Sequence, residues 1–124
     1  MKFGYTIFYV DSVEASIAFY EKAFGLKRGM VAGEEFGQLA TGDTKLGFAA
    51  KKMLSVPATY SGPDDKPLAV EIALVTDSVQ AAYDKAIAAG AKPVHAPAKK
   101  PWGQTVAYVR DNNGFLVELC TPVG

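Results

Sequence analysis

The chain has 124 residues, of which 49% are hydrophobic and 21% are charged. This composition is typical of one folded domain that buries a core, and it argues against a disordered chain. The 13 basic residues balance the 13 acidic ones, so we expect no nucleic acid and no anionic membrane as a partner. We find neither a secretion signal nor an apolar run near the ~18 residues of a membrane span, and therefore expect a cytoplasmic protein.

An extended run from Tyr5 to Val10 opens the first half of the chain, and a helix follows it. Asp11 and Glu14 have the spacing of a capping box, and Gly25 predicts the end of the helix. Apolar residues recur at helical spacing between them: Val13, Ile17, Tyr20 and Phe24. Strand-like pieces follow, with a turn at Gly42-Asp43.

The second half repeats this order, with an offset of 66 positions. The offset aligns Val10-Asp11-Ser12-Val13 with Thr76-Asp77-Ser78-Val79, and Phe36-Gly37-Gln38 with Trp102-Gly103-Gln104. An extended run at 69–75 precedes a helix that starts at Asp77 and Gln80 and stops at Gly90, and a later turn lies at 111–114. The repeat predicts one structural unit that occurs twice.

The boundaries of these units follow from the segment between them, which is rich in proline and glycine. We predict a single domain over residues 1–124, with module one at about 1–52, a linker at about 53–67 and module two at about 68–124. A module of about 60 residues buries its surface poorly alone. Two modules must therefore pair, either within one chain or by exchange between two chains.

Side chains alternate across a strand, so the pattern predicts which residues face away from the helices. In 68–75 the apolar set Leu68, Val70, Ile72 and Leu74 fits the helix side and leaves Glu71 on the other face, and Glu118 alternates in the same way with Val117 and Leu119. The candidate ligand-binding residues on this second face are Tyr5, Tyr9, Gly47, Glu71, Trp102, Tyr108 and Glu118. Apolar walls with a few polar groups are typical of a ligand pocket.

A plainer interpretation stays open for the same residues. Glu71 and Glu118 are equally compatible with solvated charges on the outer side of a half-exposed sheet. Trp102 is equally compatible with ordinary core packing beside Gly103. The only histidine, His95, follows the second helix, where a surface or packing role is expected.

Together these features resemble the vicinal oxygen chelate superfamily, which includes glyoxalase I, extradiol dioxygenases, bleomycin-resistance proteins and fosfomycin-resistance enzymes. The resemblance covers Phe3 to Pro122. It rests on the repeat, the Asp11 to Phe19-Tyr20 run, Phe24-Gly25-Leu26, Pro101-Trp102-Gly103-Gln104, Asp111-Asn112-Asn113-Gly114 and Val117-Glu118-Leu119. It implies an α+β fold in which duplicated βαβββ modules form a cup-shaped mixed sheet with helices on the outer face, and it implies a homodimer.

The resemblance also implies metal ligands on the first and last strands of each module. This chain has Tyr5, Gly47, Glu71 and Glu118 at those positions. Glu118 is a typical ligand and Glu71 is a chemically acceptable replacement, whereas glycine offers no donor and a phenol with a pKa near ~10 needs activation. We therefore expect no metal or other cofactor.

Two functional hypotheses follow. The first is a metal-independent small-molecule-binding protein of the bleomycin-resistance type, which holds an aromatic or cationic compound between aromatic rings and carboxylates. The alternative is a glyoxalase-like or dioxygenase-like lyase, isomerase or oxygenase. In that case Glu71 and Glu118 act as acid and base, or they hold a divalent metal.

Overall fold

The computed structural model describes residues 1–123, which divide into two compact units, Met1–Thr59 and the part that begins at Tyr60. In the first unit, strand β1 (Tyr5–Val10) leads to helix α1 (Val13–Phe24) and then to strands β2 (Lys27–Ala32), β3 (Phe36–Ala40) and β4 (Lys45–Ala50). A single 3-10 turn, Lys51–Met53, follows. The sheet order is β1-β4-β3-β2, with β1 parallel to β4 and the other neighbours antiparallel.

The second unit has the same order of elements. Strand β5 (Glu71–Val75) leads to helix α2 (Val79–Ala88) and then to strands β6 (Lys92–Lys99), β7 (Thr105–Arg110) and β8 (Leu116–Cys120). The sheet order is β5-β8-β7-β6, with β5 parallel to β8. The predicted α+β fold with a repeated βαβββ module is therefore confirmed. Neither helix is long and apolar enough to cross a membrane, within residues 1–123.

Helix α1 packs on its sheet through the predicted apolar positions. Ile17 and Tyr20 are fully buried, and the Tyr20 ring lies edge-on to the buried Phe48 ring, with centroids 5.1 Å apart. Gly37 on β3 allows this close approach, because a Cβ at that position would collide with the Ile17 side chain. The helix ends at Gly25, whose φ of 68° is the left-handed conformation that glycine adopts most easily.

The start of α1 differs from the prediction. Ser12, and not Asp11, is the N-cap residue, and its hydroxyl accepts the Ala15 N–H at 3.1 Å. The Asp11 carboxylate instead pairs with the ammonium of Lys51 at 3.0 Å. Helix α2 likewise starts after Ser78, which makes no side-chain cap bond. The sequence prediction was one residue early because Asp and Ser are both strong N-cap residues.

Two other expectations are wrong. The extended run before α2 begins only at Glu71, and Leu68 and Val70 are 42% and 61% exposed, so neither packs under a helix. The second half of the repeat is also out of structural register. Tyr108 pairs with Glu118 as Gln38 pairs with Gly47, which makes Tyr108, and not Gln104, the equivalent of Gln38.

The cause of this shift is the length of the elements before β7. Strand β6 has 8 residues where β2 has 6, and Trp102-Gly103-Gln104 falls in the turn that precedes β7. Phe36-Gly37-Gln38 lies within β3 itself. The two similar tripeptides therefore lie in the same region of both modules but do not occupy equivalent positions in the strands.

Candidate functional site

The strongest cluster of chemically reactive side chains lies on one face of the second sheet. Val117 and Leu119 are buried on the helix side of β8, so Glu118 between them lies on the opposite face. Its register partners are Tyr108 on β7 and Ala73 on β5. We call this face the acidic face and define it by Glu71, His95, Tyr108 and Glu118.

Glu71 and Glu118 lie on the same face of neighbouring strands, because Glu118 is the register partner of Ala73, two residues after Glu71. Burial raises the pKa of Glu118, and interaction with the Glu71 carboxyl group raises it further, while interaction with Cys120 opposes this effect. Two adjacent carboxylates repel each other when both are ionised. The pair therefore favours a shared proton or a bound cation.

The field of this pair extends to its neighbours. Burial raises the pKa of the Tyr108 hydroxyl, and the charges of Glu118 and Glu71 raise it further. The pKa of the Cys120 thiol is raised by burial and by the same two carboxyl groups. A thiol of raised pKa is a poor nucleophile, so Cys120 contributes hydrogen bonding and packing here rather than covalent chemistry.

His95 belongs to this face, which sequence reasoning missed. It is the register partner of Tyr108, and the two rings meet edge-on with centroids 6.2 Å apart. Its side chain is exposed, which agrees with the expected surface role. Pro93 and Pro97 lie on either side of His95, and proline within a run argues against a regular strand. The sequence therefore does not predict strand β6, whose pairing with β7 is irregular.

The first unit presents an aromatic face without a comparable acid pair. Tyr5 is 58% exposed and Tyr9 is half-buried. Gly47 pairs with Ile7 and Gln38. A Cβ on Gly47 would lie 3.0 Å and 3.1 Å from two atoms of the Phe36 ring. The space that the sequence assigned to a ligand above Gly47 is therefore occupied by Phe36, whose role only the register reveals.

Trp102 lies in the turn before β7 and is 66% exposed. Its indole N–H donates to the Gln104 side-chain oxygen at 2.7 Å, and the Gln104 amide donates to the Thr121 carbonyl at 2.8 Å. The alternative of core packing is therefore wrong for Trp102. These two bonds hold the indole at the surface.

The donor set does not fit a metal centre with three or more protein ligands. Among residues 1–123, no group of three or more His, Cys, Asp or Glu side chains is placed to hold a metal ion. Glu71 and Glu118 are the two neighbouring carboxylates of the acidic face. A metal bound by the two carboxylates alone would need water and substrate for its remaining ligands.

Comparison with known proteins places this fold. The family model of the Glyoxalase/Bleomycin resistance protein/Dioxygenase superfamily matches residues 2–119. The chain belongs to this superfamily. No curated protein matches the chain.

Solved structures of the superfamily share the fold at low sequence identity. A glyoxalase-related enzyme from Fulvimarina pelagi is 18% identical, with a TM-score of 0.82 over 98% of this chain and 88% of that one. A family enzyme from Burkholderia phytofirmans PsJN is 21% identical, with a TM-score of 0.75 over 95% and 96% of the two chains. A superfamily member from Sphaerobacter thermophilus DSM 20745 is 17% identical, with a TM-score of 0.73 over 98% of each chain.

Proposed function

We propose that this protein is a small-molecule-binding protein of the bleomycin-resistance type, and that its acidic face binds the positive group of an aromatic or cationic compound without a metal. The observation that carries this proposal is the pair of neighbouring carboxyl groups on the acidic face, the exposed Glu71 and the half-buried Glu118 beside Tyr108. Superfamily membership is compatible with it but does not choose the ligand, because one fold hosts many functions.

A cation can neutralise the pair of Glu71 and Glu118. An ammonium or guanidinium group supplies both positive charge and N–H donors, so it can replace the shared proton and satisfy both carboxylates. The neighbouring aromatic rings, Tyr108 and His95, offer flat surfaces, and a phenol ring attracts a cation placed over its face. A compound with an amine next to an aromatic ring therefore matches this face better than an anion or an aliphatic alcohol.

Calorimetric titration of EDTA-treated protein with benzylamine, which is protonated at neutral pH, tests the proposal. Benzyl alcohol is the matched neutral probe. We expect Glu118→Gln and Glu71→Gln each to weaken benzylamine binding at least about tenfold, or ~1.4 kcal/mol. Glu34→Gln removes an exposed acid from the first unit and should leave the affinity unchanged. Equal binding of both probes, or full affinity in Glu118→Gln, would refute the proposal.

A second candidate function is enzymatic. The raised pKa of Glu118 favours it, because a carboxyl group that holds its proton to higher pH can act as a general acid. The metal-dependent form of this alternative predicts metal bound by Glu71 and Glu118. Elemental analysis followed by titration with zinc, nickel, manganese and iron(II) distinguishes the two functions. Stoichiometric metal in the wild type that is lost in Glu118→Gln would favour the enzyme.

A further inference from the structure

A cavity of about 290 Å³ lies in the second unit, at the end of the sheet where β6 begins and β7 ends. Its lining includes Lys92 from β6, Arg110 from β7, and Tyr60, Pro63 and Asp65 from the chain before β5. The volume lies just below the usual range for ligand pockets, about 300–1,000 Å³. It suits one small organic group.

Two cations face each other in this cavity. Lys92 and Arg110 are register partners on neighbouring strands, and like charges directly opposite each other destabilise a sheet. Neither residue has an ion pair in the part of the chain that the structure describes. Arg110 donates one hydrogen bond, from Nη1 to the Gly114 carbonyl at 3.2 Å. The other N–H groups of the Arg110 guanidinium are available to another acceptor.

The two carboxylates in the lining, Asp65 and Asp111, accept hydrogen bonds from nearby residues of the chain. Asp65 accepts the Ser61 N–H and hydroxyl at 3.0 Å and 3.2 Å and the Lys66 N–H at 2.8 Å. Asp111 is 3% exposed, and its Oδ1 accepts the Asn113 and Phe115 N–H groups, each at 2.8 Å. Since these oxygens hold backbone donors, they are poor partners for Lys92 and Arg110.

Tyr60 and Pro63 form an apolar side of the cavity. The Tyr60 ring packs against Phe115, with centroids 5.2 Å apart, and its hydroxyl donates to the Asn113 carbonyl at 2.9 Å. Gly114 allows this contact, because a Cβ there would lie 2.5 Å from the Tyr60 hydroxyl and 2.9 Å from the Pro63 Cα. The segment that begins at Tyr60 is therefore anchored on the β7–β8 turn and forms a rigid side of the cavity.

We propose that this cavity is a second ligand site, which binds a small organic monoanion with its carboxylate between Arg110 and Lys92 and its apolar part against Tyr60 and Pro63. The planar guanidinium of Arg110 suits two carboxylate oxygens, and Lys92 adds a point charge. The carboxylates of Asp65 and Asp111 also line the cavity, so a monoanion meets less repulsion there than a dianion does. The site involves neither Glu71 nor Glu118, so it is independent of the proposed cation binding.

The test is a titration of ¹⁵N-labelled protein with benzoate, followed by two-dimensional amide spectra, with benzyl alcohol as the neutral probe. We expect saturable shifts at Lys92, Arg110, Asn112 and Gly114 with benzoate alone. Lys92→Met should weaken benzoate binding at least about tenfold. Lys99→Met is the matched control, because Lys99 is an exposed lysine at the other end of the same strand, and it should bind as the wild type does.

Arg110→Lys provides a second variant that keeps the charge but loses the planar fork, and we expect it to bind benzoate more weakly than the wild type. Lys92 makes no side-chain hydrogen bond among the described residues, so Lys92→Met should keep its fold even if changes at Arg110 loosen the turn. Absence of saturable shifts at the cavity, or unchanged affinity in Lys92→Met, would overturn the inference. Neither result would affect benzylamine binding at Glu71 and Glu118.

Discussion

Glu14 and Glu118 are both glutamates of this chain, yet their neighbours move their pKa values in opposite directions. Arg28 donates hydrogen bonds to Glu14 at 2.9 Å and lowers the pKa of that carboxyl. Burial and Glu71 raise the pKa of Glu118. The anionic form of Glu14 is stabilised, whereas the anionic form of Glu118 is destabilised. This difference supports the proposal that the acidic face binds a cation.

The raised pKa of Glu118 predicts a particular pH dependence of stability. The folded state holds this proton to higher pH than the unfolded state, so the free energy of unfolding falls as pH rises from the unfolded value, near ~4.3, through the raised folded value. Glu118→Gln should remove this loss and be more stable than the wild type above that window. Urea unfolding from acidic to mildly alkaline pH measures it, and Glu34→Gln should follow the wild type. A Glu118→Gln variant that is less stable in alkali would contradict the prediction.

Replacement of Gly114 by alanine should destabilise the protein. Its φ of 87° strains any other residue, and a Cβ would also collide with Tyr60 and Pro63. Gly103 has a φ of 103° but nothing within 4 Å of a Cβ, so Gly103→Ala measures the backbone strain alone. We expect Gly103→Ala to cost about 1 kcal/mol and Gly114→Ala about 2–3 kcal/mol in denaturant unfolding. Equal costs would show that the contact with Tyr60 is not rigid.

At the scale of elements, the sequence pattern predicted the helices and the side-chain alternation of the strands, because periodicity depends only on local geometry. Glu71 and Glu118 were placed on one face for this reason. The proximity of these two side chains depends on the register of β5 against β8, which no local pattern encodes. The same limit applies to Phe36 over Gly47, since the two residues meet only through the pairing of β3 with β4.

The sequence repeat also fails to predict strand register. Its first part marks truly equivalent positions, since α1 and α2 start at Val13 and Val79. Its second part does not, because residues added around β6 shift the register before β7. Likewise, Leu68 and Val70 continue the alternation of β5 in sequence but are exposed and lie before the strand. A sequence repeat therefore predicts which elements are equivalent, but it does not predict the pairing register of their strands.

The start of α1 provides a prediction for a single element. Ser12 caps the helix, and Asp11 is outside it in an exposed ion pair with Lys51. Ser12→Ala should therefore cost about 1 kcal/mol of stability, whereas Asp11→Ala should cost less, since exposed ion pairs contribute little. Thermal and urea unfolding of the two variants measure this difference. A larger loss in Asp11→Ala would mean that the aspartate is the effective cap.

At the scale of the whole molecule, superfamily membership and the departure from the usual ligand set point to different aspects of function. The fold is shared over nearly the whole chain. The resemblance implies metal ligands at the positions of Tyr5, Gly47, Glu71 and Glu118, and only the last two of these residues are carboxylates. This combination is the reason why we propose binding through charge and aromatic contact in place of metal chemistry.

We also propose a homodimer, which the family resemblance implies. Size-exclusion chromatography with light scattering should give twice the mass of one chain over a range of protein concentrations. A constant mass equal to one chain would exclude the homodimer. The measurement does not depend on which ligand binds, so it tests the assembly separately from the function.

The most direct test of the central proposal is to map where a cationic aromatic probe binds. EDTA-treated, ¹⁵N-labelled protein is titrated with benzylamine at neutral pH, and the amide shifts are followed residue by residue. Our account predicts saturable shifts centred on Ala73, Tyr108 and Glu118, which are register neighbours across β5, β7 and β8, and their loss in Glu118→Gln. Shifts confined to other residues, or none at all, would contradict it.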